Sequence, residues 1–127
     1  MGKTGGSYPK KLGTSRERGV MAHLREMGAL DVTRSYSSEG IFDVRAIFPD
    51  KTLLIQVKAD SIPKKELAGL IEFSKKLTAR NIVVMLWKYR KKRRAWEIFE
   101  LAANPMYPLS LDEFKRAYAP NQTVLMQ

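Results

Sequence analysis

The chain has no cysteine, a single histidine and no long apolar run. The absence of cysteine excludes disulfides, thiolate metal sites and Cys-His catalysis. With His23 alone, a histidine-based zinc site within one chain is disfavoured, and so is a Ser-His-Asp triad. No apolar stretch approaches the roughly 20 residues that span a bilayer, and the polar N-terminus lacks the apolar core of a secretory signal. We therefore expect a cytoplasmic protein with no membrane partner.

Acidic residues are also scarce relative to basic ones. The chain has 13 Asp and Glu against 23 Lys and Arg, which gives a formal net charge of +10. A basic domain of this size usually binds a polyanion, and nucleic acid is the commonest one. A ribosomal-type or merely soluble basic protein is the alternative.

The 127 residues match the size of one domain. Residues 1–13 are rich in Gly and Lys and predict a flexible basic arm. We expect a single domain over 14–119 and a tail over 120–127. The predicted helices cover 14–27, 63–80 and 111–118, and the predicted strands cover 32–36, 41–48, 52–58, 81–87 and 95–101. The order α-β-β-β-α-β-β-α predicts an α/β fold with a mixed central β-sheet flanked by helices.

The second and third predicted strands form a hairpin with a polar end. If Pro49-Asp50 is a two-residue turn, Asp43 lies opposite Gln56 and Ile41 lies opposite Lys58. Cross-strand partners project to the same face, so these polar side chains would cluster at the end far from the turn. A β-bulge would shift the register by one residue and break this cluster. The alternative is a solvated outer face, on which alternating Asp, Gln and Lys are ordinary.

These residue types suit metal-assisted cleavage of a phosphodiester. Mg²⁺ prefers hard oxygen ligands, which the Asp43 carboxylate and the uncharged Gln56 amide oxygen can supply. Lys58 can orient or activate the attacking water, or offset charge in the transition state.

Glu17 on the first helix is a second candidate carboxylate. It lies on the apolar stripe of Val20 and Leu24, which predicts that it faces the sheet. Thr14 and Glu17 also have the spacing of a capping box, which explains Glu17 without a functional role.

In combination these segments resemble the PD-(D/E)XK nuclease superfamily. They are Glu17 on the opening helix, the Arg34–Gly40 loop before Phe42-Asp43-Val44, and Leu54–Lys58 on the next strand. The resemblance covers about residues 14–101 and is greatest to archaeal-type Holliday junction resolvases. It implies a restriction-endonuclease-like core.

The resemblance implies roles for individual residues. Asp43 is the expected central metal ligand, Glu17 a helix carboxylate near the metal, and Lys58 the family lysine. Either Ser37 or Ser38 corresponds to the loop serine beside the scissile phosphate. The implied cofactor is Mg²⁺, with Mn²⁺ as a substitute. The implied enzyme is a homodimer that cuts opposed strands of a four-way DNA junction.

Two departures from the family pattern leave alternatives open. Phe42 stands where the motif has proline. Gln56 stands where the second acid is usual, which removes a negative charge and weakens metal affinity unless Glu17 or a backbone carbonyl compensates. Related Mrr-type nucleases also use Gln-x-Lys, so an Mrr-like restriction or nicking nuclease is one alternative. A non-catalytic DNA-binding module on a nuclease fold is the other.

Basic residues outside the hairpin predict phosphate contacts. The segment 88–94 holds six cations in seven residues and is predicted as a loop between strands, where it would meet the DNA backbone. A solvated loop is the alternative. The predicted DNA-binding residues are Lys10, Lys11, Arg16, Arg18, Arg34, Lys88, Arg90, Lys91, Lys92, Arg93 and Arg94.

Overall fold

A computed structural model of the chain describes residues 3–35 and 42–120, with side chains from residue 15 onward. Its elements are α1 (Lys3–Glu26), β1 (Asp31–Arg34), β2 (Val44–Ile47), β3 (Thr52–Ala59), α2 (Lys64–Lys76), β4 (Ile82–Arg90), β5 (Ala95–Glu100) and α3 (Leu111–Tyr118). The predicted order of elements is confirmed. The strands form one sheet in the order β1-β2-β3-β4-β5, with β3 and β4 parallel and the other pairs antiparallel. The expected mixed sheet is therefore present.

The first helix begins earlier than predicted. Residues 3–13, predicted as a flexible arm, have helical backbone that continues into the rest of α1. The prediction began at Thr14 because three glycines and a proline precede it within residues 3–13, and these residues disfavour helix. Thr14 lies inside the helix, so it is not an N-cap, and the predicted capping box with Glu17 is wrong. The predicted stop is confirmed, because Gly28 has a φ of +97°, which side chains other than glycine rarely adopt.

The other boundaries differ by a few residues. The strand β4 runs to Arg90, so Lys88 and Arg90 belong to the strand and only 91–94 form the turn to β5. The helix α2 ends at Lys76, because Leu77 has extended backbone. The predicted tail lies outside the described residues from 121 onward. Within the described residues, none of the three helices combines the length and apolarity that crossing a bilayer requires.

Both faces of the sheet are covered. One buried cluster joins α1 and α3 to the sheet and includes Val20, Leu24, Ile55, Trp87 and Phe114. A smaller cluster on the other face joins α2 to the sheet through residues such as Leu54, Leu70 and Leu86. Because successive side chains of a strand point to opposite faces, β3 and β4 contribute to both clusters. The apolar run in β4 is therefore buried on both faces.

The central hairpin has the predicted register from its turn to Val44, but not at Asp43. Val44–Ile47 pair with Thr52–Ile55 as predicted, and the Phe48 N–H donates to the Lys51 carbonyl across the two-residue turn at 2.7 Å. At Asp43 the pairing shifts, because its N–H donates to the carbonyl of Ile55, the residue already opposite Val44. Two residues of one strand then face one residue of the other, which is a β-bulge.

The side chains on either side of Asp43 pack as a bulge requires. Phe42 packs against the α2-side cluster, whereas Val44 is buried in the cluster on the other face. Residues two apart on a regular strand would share a face. The predicted pairing of Asp43 with Gln56 is therefore wrong, and Ile41, the predicted partner of Lys58, lies outside the described residues.

Candidate active site

Asp43 is held at the bulge by three hydrogen bonds. Its N–H donates to the Ile55 carbonyl and its own carbonyl accepts from the Ser35 N–H, each at 2.8 Å. Its side-chain Oδ2 accepts from the Val57 N–H, also at 2.8 Å. Asp43 therefore bonds to the residues on both sides of Gln56. The bulge breaks the predicted ladder pair but keeps the carboxylate beside Gln56.

The Asp43 carboxyl lies in an electrostatically mixed environment. Burial raises its pKa above the ordinary value, the Val57 N–H and the charge of Lys58 lower it, and the charge of Glu66 raises it again. The net shift is upward. A divalent cation at this carboxylate would offset the cost of its burial.

Glu17 lies one turn before the buried part of α1 and pairs with the end of β1. Its Oε1 accepts from Arg34 Nη1 at 3.3 Å, and both side chains are less than one-fifth exposed. Burial and the negative charge of Asp43 raise the pKa of Glu17, whereas the bond and charge of Arg34 lower it. Glu17 and Asp43 are therefore close enough to repel one another. The ion pair with Arg34, rather than a capping box, holds Glu17.

Gln56 and Lys58 lie two residues apart on β3 and are both half-buried. Lys58 Nζ lies 2.5 Å from Oε2 of Glu66, in the first turn of α2. Glu66 was not among the site residues predicted from the sequence. The sequence does carry a signal for Glu66, which is an acid in the first turn of the helix that follows β3. Because that helix begins beside the end of β3, an acid there can reach Lys58.

The donors present fit a hard cation. Asp43 and Glu17 are carboxylates whose mutual repulsion a divalent ion would relieve, and Gln56 offers a neutral amide oxygen. Among the residues that the structure describes, no three His, Cys, Asp or Glu side chains form a cluster able to hold a metal. The candidate set therefore consists of two acids and an amide. Ser37 and Ser38 lie outside the described residues.

The basic turn after β4 is partly neutralised. The Arg93 guanidinium lies 2.9 Å from Glu97, and Arg90 donates to the Asp60 carbonyl at 3.2 Å and approaches Glu97 at 3.5 Å. The Lys91 N–H donates to the Asp60 carboxylate at 3.0 Å. These contacts fix the turn on the surface. All four residues of the turn are exposed to solvent.

The remaining predicted cations of this region differ in their surroundings. Lys92 and Arg94 are exposed in the turn. Lys88 Nζ lies over the Phe99 ring at 5.4 Å from its centre. Arg16 lies over the Tyr89 ring at the same distance, which joins α1 to β4 by a cation–π contact.

A second basic surface lies between α1 and the edge strand β1. A groove of about 500 Å³ is lined by Arg18, Met21, Arg25, Val32, Thr33 and Arg34. Arg18 and Arg34 were predicted to bind DNA, whereas Arg25 was not among the predicted residues. Arg25 follows Arg18 by two helical turns, which is the spacing that would have indicated a shared face. The side chains of Lys10 and Lys11 lie outside the described ones.

Comparison with known proteins supports the resemblance seen in the sequence. A family model described as archaeal Holliday junction resolvase (Hjc) matches residues 8–109. Among solved structures, the chain is similar to Hjc of Archaeoglobus fulgidus, a Holliday junction resolvase from an archaeal hyperthermophile. The identity is 20%, the TM-score is 0.52, and the match covers 77% of this chain and 88% of that one. A comparison with curated proteins found no match.

Proposed function

Because this chain belongs to the archaeal Holliday junction resolvase family, we propose that it cleaves DNA at a Mg²⁺ site made by Asp43, Glu17 and Gln56. The family consists of structure-specific endonucleases that bind branched DNA and act as dimers. The described fold, a mixed sheet of five strands with helices on both faces, is that of Archaeoglobus Hjc. What the proposal adds is the metal, the residues that hold it and their roles.

The observation that carries the proposal is the position of Asp43. Its carboxylate is fixed by the Val57 N–H, lies within the field of Lys58, and repels Glu17 on the neighbouring helix. When bound, Mg²⁺ would polarise the scissile phosphate and lower the pKa of a bound water. Asp43 and Glu17 would hold the ion by charge, and Gln56 would add an uncharged oxygen.

Lys58 has a separate role in this proposal. Its side chain is about one-quarter exposed, which would allow a phosphate to approach its ammonium group. There it would orient the attacking water or offset negative charge on the phosphate as the transition state forms. Ser37 or Ser38 would contact the same phosphate, as the family resemblance implies.

The basic surfaces would bind the arms of the junction. Arg18, Arg25 and Arg34 line the groove beside α1, and Lys92 and Arg94 are exposed in the turn after β4. Phosphate contacts of this kind fix the position of DNA without reading its sequence. They favour recognition of junction shape over base sequence.

We also propose that the enzyme acts in the cytoplasm, as its composition led us to expect.

The test is cleavage of a synthetic four-way junction with Mg²⁺ or Mn²⁺ by wild type and Asp43→Asn. We expect paired cuts by the wild type and a loss of about 100-fold or more in rate for the variant, because the central ligand loses its charge. Asp50→Asn is the matched control, since Asp50 lies in the hairpin turn at the other end of the same strand pair. Equal rates for Asp43→Asn and wild type would refute the site. Equal cutting of linear duplex would favour the Mrr-like alternative.

A further inference from the structure

We propose that Glu66 supplies the acidic group that this chain lacks at Gln56, and that it positions Lys58 at the metal site. The inference rests on the proposed function of Asp43 and its neighbours. It differs from the compensation expected from the sequence, which named Glu17 or a backbone carbonyl.

The ion pair between Lys58 and Glu66 is the first support. Oε2 of Glu66 lies 2.5 Å from Lys58 Nζ, so the two side chains form a close ion pair. Lys58 is near the carboxyl end of β3 and Glu66 is in the first turn of α2, so the contact joins the strand to the helix that follows it. A lysine side chain has four rotatable bonds, and this contact restricts its ammonium group to the side of the sheet where α2 lies.

The charge balance of the site is the second support. Without Glu66, the two carboxylates of Asp43 and Glu17 are balanced by the cations Lys58 and Arg34. A site of zero net charge attracts a divalent cation weakly, because ligand charge is a main determinant of such affinity. Glu66 leaves one net negative charge. Glu66 reaches this set of residues through its contact with Lys58, which lies two residues beyond Gln56 on β3.

An acid in the first turn of a helix has a simpler explanation. It interacts favourably with the helix dipole wherever it points, and an exposed ion pair contributes little to stability. Neither effect requires Glu66 to contact a lysine of the site. The two explanations differ in one consequence, because only the proposed role allows an acid at position 56 to replace the acid at position 66.

The experiment measures Mn²⁺ affinity by calorimetry without DNA for wild type, Glu66→Gln, Gln56→Glu and the double variant. We expect Glu66→Gln to weaken Mn²⁺ binding by about 10-fold or more, as loss of a supporting partner commonly does. We expect the double variant to return to within about 3-fold of wild type. Glu72→Gln, an exposed acid on the same helix, is the control and is expected to bind Mn²⁺ like wild type.

Two results would overturn the inference. One is wild-type affinity for Glu66→Gln, and the other is weakened affinity that Gln56→Glu leaves unrepaired. The single variant Gln56→Glu gives an independent check, because it should strengthen binding less when Glu66 is present than when it is absent. Equal effects in both backgrounds would also refute the role. If Asp43→Asn abolishes cleavage while Glu66→Gln has no effect, this inference fails and the proposed function stands.

Discussion

The side chain of Asp43 accepts a hydrogen bond from the main chain of Val57 at 2.8 Å, across a bulge at the start of β2. The same residue donates its own N–H to Ile55, so it is anchored on both sides of Gln56. Bulges commonly redirect a side chain beside a functional site. Here the bulge places a half-buried carboxylate where the charges of both Glu17 and Lys58 reach it.

The raised pKa of Asp43 has a consequence for stability. An acid whose pKa is higher in the folded state binds protons more tightly when folded, so its contribution to stability falls as pH rises from its ordinary value through the folded value. We therefore expect Asp43→Asn to be more stable than wild type at pH 7 in EDTA, and this difference to disappear on acidification below its ordinary pKa of 3.8.

Thermal melting at several pH values in EDTA measures this effect. Asp50→Asn, in the exposed turn, should show no such gain at pH 7. Addition of Mn²⁺ should raise the melting temperature of wild type but not of Asp43→Asn, because a ligand that binds only the folded state stabilises it. If Asp43→Asn melts at a lower temperature than wild type at pH 7 in EDTA, the ionised Asp43 carboxylate does not destabilise the fold and this prediction is wrong.

Glu17→Gln is expected to lower the rate of junction cleavage by about 10- to 100-fold and to weaken Mn²⁺ binding by a similar factor. The change removes a charge near Asp43 and breaks the ion pair with Arg34. The measurement is cleavage rate against Mn²⁺ concentration. Glu26→Gln removes an exposed acid from the last turn of the same helix and should leave both quantities unchanged. Recovery of the Glu17→Gln rate at saturating Mn²⁺ would show that Glu17 acts mainly through metal affinity.

The parts of the site that depend on local rules were predictable from the sequence. Turn length and alternation determine hairpin register, so the pairing of Val44–Ile47 with Thr52–Ile55 followed from Pro49-Asp50. The stripe of apolar residues on α1 placed Glu17 towards the sheet. The order of elements followed from periodicity together with turn residues such as Pro49-Asp50.

The remaining features depend on contacts between distant segments. The bulge at Asp43 arises from bonds to Ser35 and Val57, and no glycine marks it in the sequence. Glu66 meets Lys58 because α2 begins beside the end of β3, and sequence spacing does not give that distance. Local propensity also predicted the wrong start for α1, where the helix continues through residues that disfavour it individually.

Ser110→Ala is expected to destabilise the protein by about 1 kcal/mol without altering metal binding. The Ser110 hydroxyl accepts from the Glu113 N–H at 3.1 Å, and the Glu113 carboxylate accepts from the Ser110 N–H at 2.8 Å, so Ser110 caps α3. Denaturant unfolding measures the change, with Ser61→Ala, an exposed serine before α2, as the control. A loss below about 0.3 kcal/mol would mean that packing of Leu111, Phe114 and Tyr118, rather than the cap, holds α3.

The turn after β4 provides a test of how DNA is bound. Lys92 and Arg94 are exposed there, whereas Arg93 is held by Glu97. Neutralising one phosphate contact reduces the dependence of log affinity on log salt by about 0.9 for duplex DNA. We therefore expect Lys92→Ala to weaken binding to a four-way junction and to lower this slope by about one.

Affinity should be measured in EDTA at several salt concentrations, so that cleavage does not interfere. Lys76→Ala, at the end of α2, removes the same charge from an exposed position away from the turn and is the matched control. Arg94 has a φ of +51°, so Arg94→Gly removes its charge while relieving the backbone, and it should reproduce the effect of Lys92→Ala. If all three variants lower the slope equally, the +10 net charge rather than the turn determines the affinity for DNA.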